Sequence, residues 1–492
     1  MNEAKRAILL LAWIEKREET WNLQMNQTDK TELFAVMPVR RALFTLAVPT
    51  IISQMINLIY NMVDAFFIGR TGNPYMMAAT TIALPVMLLN IAFANLFGIG
   101  GGSHIARLMG AGKKETARQV SAFSALSAVG VSLVYSLLIG AFLSPLLLFL
   151  GASEQTLSYT QSYTLIVVVI GNLPMLFSMV LGHLLRNTGY SAQASIGLSG
   201  GGILNVFLDP LFMFVLLPRG MEVTGAAIAT TISNTAACIY LIMAYRRAAR
   251  EMPLSMRPSD ARAIDRENVK NIFAVGIPSA ILTGLFDIAN VCMNMLAAGH
   301  NDLVLAAIGI CAKIERIPNA FNVGVCQGML PIVAYNFASG NHKRMNDTIH
   351  TARRAGIIIS VCCIATLELF AAPFSHAFLS LSSNDAAAMT TLGLAAGFLR
   401  IRCLASPVQF INYNSSYCMQ AIGDGRGTMI HANVRMLVFY IPMMFVLDRL
   451  FGEFGLASAL PVAESFSAVL ALLLLRHGIR TMKRKRQNSP SL

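Results

Sequence analysis

The sequence predicts an all-α, polytopic membrane protein of twelve transmembrane helices, arranged as two parallel six-helix repeats around a central cavity. Three observations carry this. Hydrophobic residues make up 55% of the 492 positions and charged residues only 13%, about half the charged share of an ordinary soluble domain. Apolar stretches of roughly 20 residues, the length a spanning helix needs, recur about twelve times between short charged clusters. The second half of the chain repeats the motifs of the first in order.

Continuous apolarity over this length demands helices, because barrel strands would run about ten residues with strict alternation. The spans are expected near 43–68, 79–101, 120–141, 160–183, 194–217, 224–245, 271–297, 303–333, 355–376, 388–413, 429–450 and 455–475. Lys and Arg collect on one side of them: Arg40 and Arg41, Arg107 to Arg118, the stretch 246–270, Lys343 to Arg354, and the tail from Arg476 through "KRKR". The other side holds Arg70, Arg219 and Arg449. The positive-inside rule therefore puts both termini in the cytoplasm of a cell (inner) membrane protein, which requires an even number of spans. The net charge of +13 follows from that topology and from basic segments beside anionic lipid, not from a nucleic-acid partner.

The eight cysteines all fall inside apolar spans without metal-ligand spacing, so they are read as small buried hydrophobes. The opening "MNEAKRAILLLAWIEKREETWNLQ" is too charged for a secretory signal; it is either an interfacial helix or an extension ahead of a start at Met25.

The repeat is legible residue by residue. "LAVPTIISQMINLIYNMVDAFFIGRTG" around Pro49 matches "FAVGIPSAILTGLFDIANVCMNMLAAGH" around Pro278, and "ARLMGAGKKETAR" falls against "YNFASGNHKRMND". "LLRNTGYSA" parallels "CMQAIGDGRG", and "VTGAAIATTISNTAACIYLIMAYRR" parallels "EFGLASALPVAESFSAVLALLLLRH". Six is even, so both copies enter the membrane in the same sense, the arrangement of secondary transporters with a cavity between parallel repeats. The chain thus divides into an N-terminal extension (1–36), a first lobe (37–245), a cytoplasmic linker (246–270), a second lobe (271–475) and a basic tail (476–492).

Several of these motifs, "AVPTIISQ", "NMVDAFFIGRTG", "GIGGGSHIARLMGAG", "LNVFLDP", "VTGAAIATTISN" and "LPIVAYNFASG", stand in the order and at the spans of the multidrug and toxic compound extrusion (MATE) family, which the chain resembles over residues 37 to about 475. Within it the chain is most similar to the bacterial multidrug exporters of the branch that includes the DNA-damage-inducible MATE proteins. The resemblance implies export of organic cations in exchange for sodium ions or protons. A monomer with no cofactor beyond the coupling ion is expected.

Asp209, in the apolar run "ILNVFLDPLFMF", costs roughly 2.5 to 3.5 kcal/mol at the centre of a bilayer, so it needs a reason. A residue serving only to build the six-helix unit should recur in both copies. Asp209 instead falls against Met443, Asn205 against Phe439 and Asp64 against Met293. Asn205 and Asp209, four residues apart, share one helical face. Asn57, Tyr60, Asn61 and Asp64 form a polar stripe on the first span. The resemblance implies that Asp64, Asn205 and Asp209 line one cavity; Thr230, Thr231 and Asn234 on the sixth span are read as the residues that complete its hydrogen bonds. Pro210 removes the bond to the carbonyl of Val206 and is read as a hinge. Two carboxylates beside a freed carbonyl suit a sodium ion at Asp64 and Asp209, or a proton shared between them. The structural alternative is a buried Asp bonded to a neighbouring helix.

In the second half, Asp287 and Glu315 also lack repeat counterparts and form a second candidate site; Glu315 is followed by Arg316, a ready partner. Arg402 is read as a counter-ion for Asp287 or Glu464, and Met293 as a cavity-lining thioether. No HExxH, GxSxG, paired DxxxD or phosphate loop is present, which argues against a membrane enzyme. "GIGGGSHIARLMGAG" is read as close helix packing. A flippase for a lipid-linked precursor is the alternative on the same fold, but it calls for a basic cavity where this one is acidic.

Overall fold

The computed structural model describes residues 30–379 and 386–488. Among them every regular element is a helix. In the first lobe these are α1 (Val39–Gly69), α2 (Pro74–Gly110), α3 (Lys114–Ala141), α4 (Glu154–Ile170 and Asn172–Asn187), α5 (Ser191–Leu216) and α6 (Glu222–Ala248). The second lobe holds α7 (Arg266–His300), α8 (Asp302–Ile314 continued by Arg316–Ser339), α9 (His342–Leu379) and α10 (Ala386–Cys403 and Ser406–Ile422), and then a long run from Gly425. That run covers 60 residues to Arg484 and would extend about 90 Å if straight, three times a bilayer core. It folds back at Gly452, whose φ of 61° and ψ of −143° are open to glycine alone. The fold-back yields α11 (425–451) and α12 (453–488), so the protein has twelve spans in two six-helix repeats.

Local chemistry sets many of the helix ends. Asn73 accepts from the backbone N–H of Tyr75 at 2.9 Å with Pro74 in the first helical position. Asn301 caps α8 through the N–H of Val304 at 2.9 Å, and Asp265 caps α7 through that of Asn268 at 2.7 Å. The bend of 49° in α4 follows a π-helical stretch, Leu165–Ile170. A π turn leaves carbonyls without their usual partner, and the hydroxyl of Thr231 donates to the Ile166 carbonyl at 3.1 Å. The proline expected to act as a hinge sits just before another such stretch, Phe212–Leu216 in α5.

Some sequence boundaries shift. α4 begins at Glu154, earlier than the hydropathy suggests. The linker contains a short helix, Pro258–Arg262, docked by Asp260, whose carboxylate accepts from Arg118 at 3.2 Å. The expected separate tail is a helical continuation of α12 to Asn488. Lys30–Ala35 is a short helix ahead of α1, while the expectation for residues 1–24 lies outside the described residues. Cys362 is exposed and Cys292 and Cys363 are half-buried, contrary to the expectation that all eight cysteines are buried.

The cores show how the lobes meet. One cluster draws on both lobes, with Leu46, Phe97 and Ile105 packing in the same body as Ile272, Leu330 and Met419. These residues lie in the half of each helix nearest the Arg-rich ends, hereafter the basic face. Toward the opposite face each lobe has its own cluster, around Met293 and Ile308 in the second and around Tyr135 and Val167 in the first. Glycines allow the lobes to close: a Cβ on Gly276 would lie 2.1 Å from the Leu96 carbonyl, and one on Gly110 2.1 Å from that of Tyr335. The glycine-rich end of α2 is therefore a close-packing surface, in keeping with small residues at membrane helix interfaces.

Candidate functional site

The polar residues singled out in the first lobe converge on one cluster. Asp64 lies near the Gly69 end of α1 and Asp209 near the Leu216 end of α5, so the cluster sits toward the face opposite the basic one. Asp209 is fully buried and Asp64 partly so. Their carboxyl groups are within hydrogen-bonding reach of each other, a contact that two acceptors can hold only with a proton or a cation between them. Asn205 orients the pair, donating from Nδ2 to Asp209 Oδ1 at 2.9 Å and to Thr230 Oγ1 at 3.3 Å. Oδ2 of Asp209 and Oδ1 of Asp64 are buried with no partner among the described residues. Such orphan acceptors are costly unless something outside the polypeptide binds them.

Tyr60 lies close enough to feel the charge of both carboxylates, and Gly202 leaves room for it: a Cβ there would meet the Tyr60 ring at 2.7 Å. Tyr163 of α4 lies close enough to feel the charge of the same two acids and was missed by the sequence reading. Its signal was the polar run "SYTQSYT" in an apolar chain. The other candidates divide. Thr230 joins the cluster, but Thr231 is turned to the α4 backbone. Asn61 donates to its own helix, to the Asn57 carbonyl at 2.6 Å, and is exposed. Asn57 and Asn234 are partly buried on α1 and α6.

The second lobe treats its acids differently. Glu315 is held by Arg402, not by its neighbour Arg316: Nε donates to Oε1 at 2.5 Å and Nη2 to Oε2 at 2.8 Å. The planar fork of Arg402 suits this bidentate contact. Glu464 pairs with Arg435, Nη2 to Oε1 at 2.6 Å, and accepts from Asn412 as well; Arg435 also lies 4.9 Å above the Tyr413 ring. Arg402 is thus the counter-ion of Glu315 and not of Asp287 or Glu464. Asp287 is half-buried and, among the described residues, makes no ion pair and keeps Oδ2 without a partner. Met293 is 3% exposed and packs in the core of the second lobe.

The comparisons with known proteins agree with this architecture. The MatE family model matches twice, over residues 49–211 and 278–446, starting at the two prolines that the internal repeat superposes. The multidrug export protein MepA of Staphylococcus aureus is 29% identical over 443 residues, covering 90% of this chain and 94% of its own. The protein of the same name from Staphylococcus saprophyticus is 28% identical over 445 residues, with the same coverage. Among solved structures, a MATE protein in complex with MaL6 superposes with a TM-score of 0.86 at 22% identity, over 93% of this chain and 100% of that one. A MOP superfamily transporter from Pyrococcus furiosus, for which a reversed pocket polarity suggests a different function, superposes at 0.85 with 22% identity over 93% of this chain and 99% of its own. The chain therefore belongs to the MatE family of multidrug transporters, and is a multi-pass membrane transporter, not an enzyme.

Proposed function

We propose that the protein is a secondary antiporter that exports organic cations and drugs in exchange for sodium ions or protons, by alternating access between its lobes. The single observation that carries this reading is the pair Asp64 and Asp209, two carboxyl groups in contact with orphan oxygens and no ion pair among the described residues. A cation arriving at this pair relieves the repulsion between them. Asn205 and Thr230 keep Asp209 aimed at Asp64, and Pro210 with the π turn after it lets the end of α5 move when the pair is neutralised. That movement alters the first-lobe wall and releases the bound solute. Negative charge in the cavity attracts cationic drugs, and the MepA relatives are named multidrug export proteins. By the positive-inside rule the basic face is cytoplasmic, so the carboxylate pair lies toward the outside of the cell membrane, where the coupling ion enters.

A lipid-linked precursor flippase would need free basic groups for a pyrophosphate, and Arg402 and Arg435 are each held by a carboxylate. Purified protein in proteoliposomes tests the proposal: an imposed sodium or proton gradient, applied one at a time, should drive uptake of a fluorescent organic cation against its own gradient. Transport unaffected by either gradient would refute it.

A further inference from the structure

The charged and polar groups at the basic face have no part in the coupling site, yet they join the lobes. Arg107, near the end of α2 in the first lobe, reaches across to the last turn of α10 in the second. Its Nη1 donates to the carbonyls of Gln420 at 3.0 Å and Ala421 at 3.2 Å. Both belong to the last turn of the helix, at the negative end of its dipole; the Gln420 carbonyl also accepts the Gly423 N–H at 3.2 Å. Gly423 provides the room: a Cβ there would lie 3.2 Å from the guanidinium carbon. A hydrogen-bonded chain extends the contact. Arg107 Nη2 donates to His104 Nδ1 at 3.3 Å, His104 Nε2 donates to Asn268 Oδ1 at 2.7 Å, and Asn268 Nδ2 donates to the α7 cap Asp265 at 2.8 Å.

The repeat superposes Arg107 on Asn336, at the corresponding end of α8. Asn336 is 1% exposed, and its Nδ2 donates at 3.0 Å to the carbonyl of Phe34. That carbonyl is again at the end of a helix, Lys30–Ala35. This helix precedes α1 in the chain but docks on the second lobe. Leu33 and Phe34 are buried, and the Phe34 ring stacks on Tyr335 with centroids 5.5 Å apart. Arg344 of α9 holds it with Nε to the Phe34 carbonyl at 2.7 Å and Nη2 to those of Leu33 at 3.3 Å and Met37 at 2.5 Å.

We propose that these are two repeat-related latches that hold the lobes shut at the basic face: Arg107 on the end of α10, and Asn336 with Arg344 on the helix Lys30–Ala35. Each lobe inserts a donor into helix-end carbonyls belonging to the other lobe or to the segment leading into it. The short helix is in effect a strap, tied by Met37 and Pro38 to α1 and by Arg344 to α9. Opening of the basic face separates α1 from α8, so the strap must be released or must tilt about Pro38. The inference goes beyond the transport reading and does not depend on which ion drives transport.

Backbone hydrogen exchange of the full chain in lipid nanodiscs reads closure directly, without a transport assay. Arg107→Gln should raise exchange roughly ten- to hundredfold in 100–110 and 268–276, the loss expected for a hydrogen bond to a charged group. Arg344→Gln should do the same in 31–37 and 324–336. Segments 203–216 and 455–467 should exchange as in the parent. Parent-like exchange at the lobe interface in both variants would overturn the proposal. If Arg107→Gln exchanges faster throughout the chain, it has lost its fold, and Arg107→Lys takes its place. That variant keeps the charge as a single point donor and should show an intermediate rise at the same segments; no rise would overturn the first latch. The second latch has an independent check in two shortened chains. One beginning at Met25 retains the strap and should match the full chain, whereas one beginning at Met37 lacks it and should exchange faster at 324–336. Equal exchange in the two would overturn the strap.

Discussion

Replacing Asp209 by Asn separates coupling from folding, because the two roles predict opposite outcomes. In the parent protein Asp209 Oδ1 accepts from Asn205 and Oδ2 is an orphan facing Asp64. Asn keeps the acceptor for Asn205 and puts an N–H2 where the orphan oxygen was, able to donate to Asp64. The variant should therefore insert and fold at least as well as the parent. What it cannot do is offer a second negative charge to a cation. A carboxylate and a monovalent cation about 4 Å apart attract by about 4 kcal/mol at an effective dielectric constant near 20, so cation binding should weaken roughly a thousandfold. Asp64→Asn should behave alike, since the carboxyls share one site. Asn205→Ala removes one orienting hydrogen bond to a charged group, about 1.5 to 3 kcal/mol, and should slow efflux by roughly ten- to hundredfold. The assay is efflux of a fluorescent cation from proteoliposomes under an imposed sodium or proton gradient, normalised to inserted protein. Parent-rate efflux by Asp209→Asn would show that coupling occurs elsewhere. Poor insertion with normal activity per folded molecule would show that the residue serves only the fold.

Glu464→Gln leaves Arg435 buried without its counter-charge and should destabilise the protein by about 3 to 5 kcal/mol, whereas Glu315→Gln, at a position less deeply buried, should destabilise it less; thermal aggregation of detergent-purified protein compares them. Asp260 in the linker is held below the ordinary aspartate range by the Ser255 hydroxyl first and by Arg118 next. Because its value is lowered by folding, the docking it supports is complete above about pH 4 and is lost as the pH falls through the lowered value. Hydrogen exchange over 250–262, corrected for intrinsic rates, should rise only below that range. A single cysteine at position 258 should react with an impermeant thiol reagent in inverted vesicles and not in intact cells; labelling from outside would reverse the assigned topology.

How far the sequence carried depends on the kind of interaction. The run Ile203 to Phe214 announces a spanning helix because each residue contributes its own transfer free energy, and no knowledge of its neighbours is needed. The anomaly of Asp209 is legible for the same reason, and the repeat sharpens it by supplying Met443 as the apolar counterpart. Glu315 is different. Its adjacent Arg316 looked like a partner, but consecutive residues on a helix point about 100° apart, and a side chain from α10 reaches it instead. Thr230 and Thr231 separate in the same way: one meets Asn205 and the other closes a gap in α4.

By itself, then, the sequence determined the helical class, the spans, the two-fold repetition and the acids placed in apolar surroundings. These follow from composition and period, which sum local terms along the chain. The tertiary structure alone decided which arginine neutralises which carboxylate, that Tyr163 lies near Asp64 and Asp209, that Met293 is core, and that Arg107 donates to the end of α10 and Arg344 to the helix Lys30–Ala35. Those choices depend on the rotation and tilt of each helix against its neighbours. Rotation and tilt are set jointly by close contacts such as Gly276 on Leu96 and Gly110 on Tyr335, which no single segment encodes.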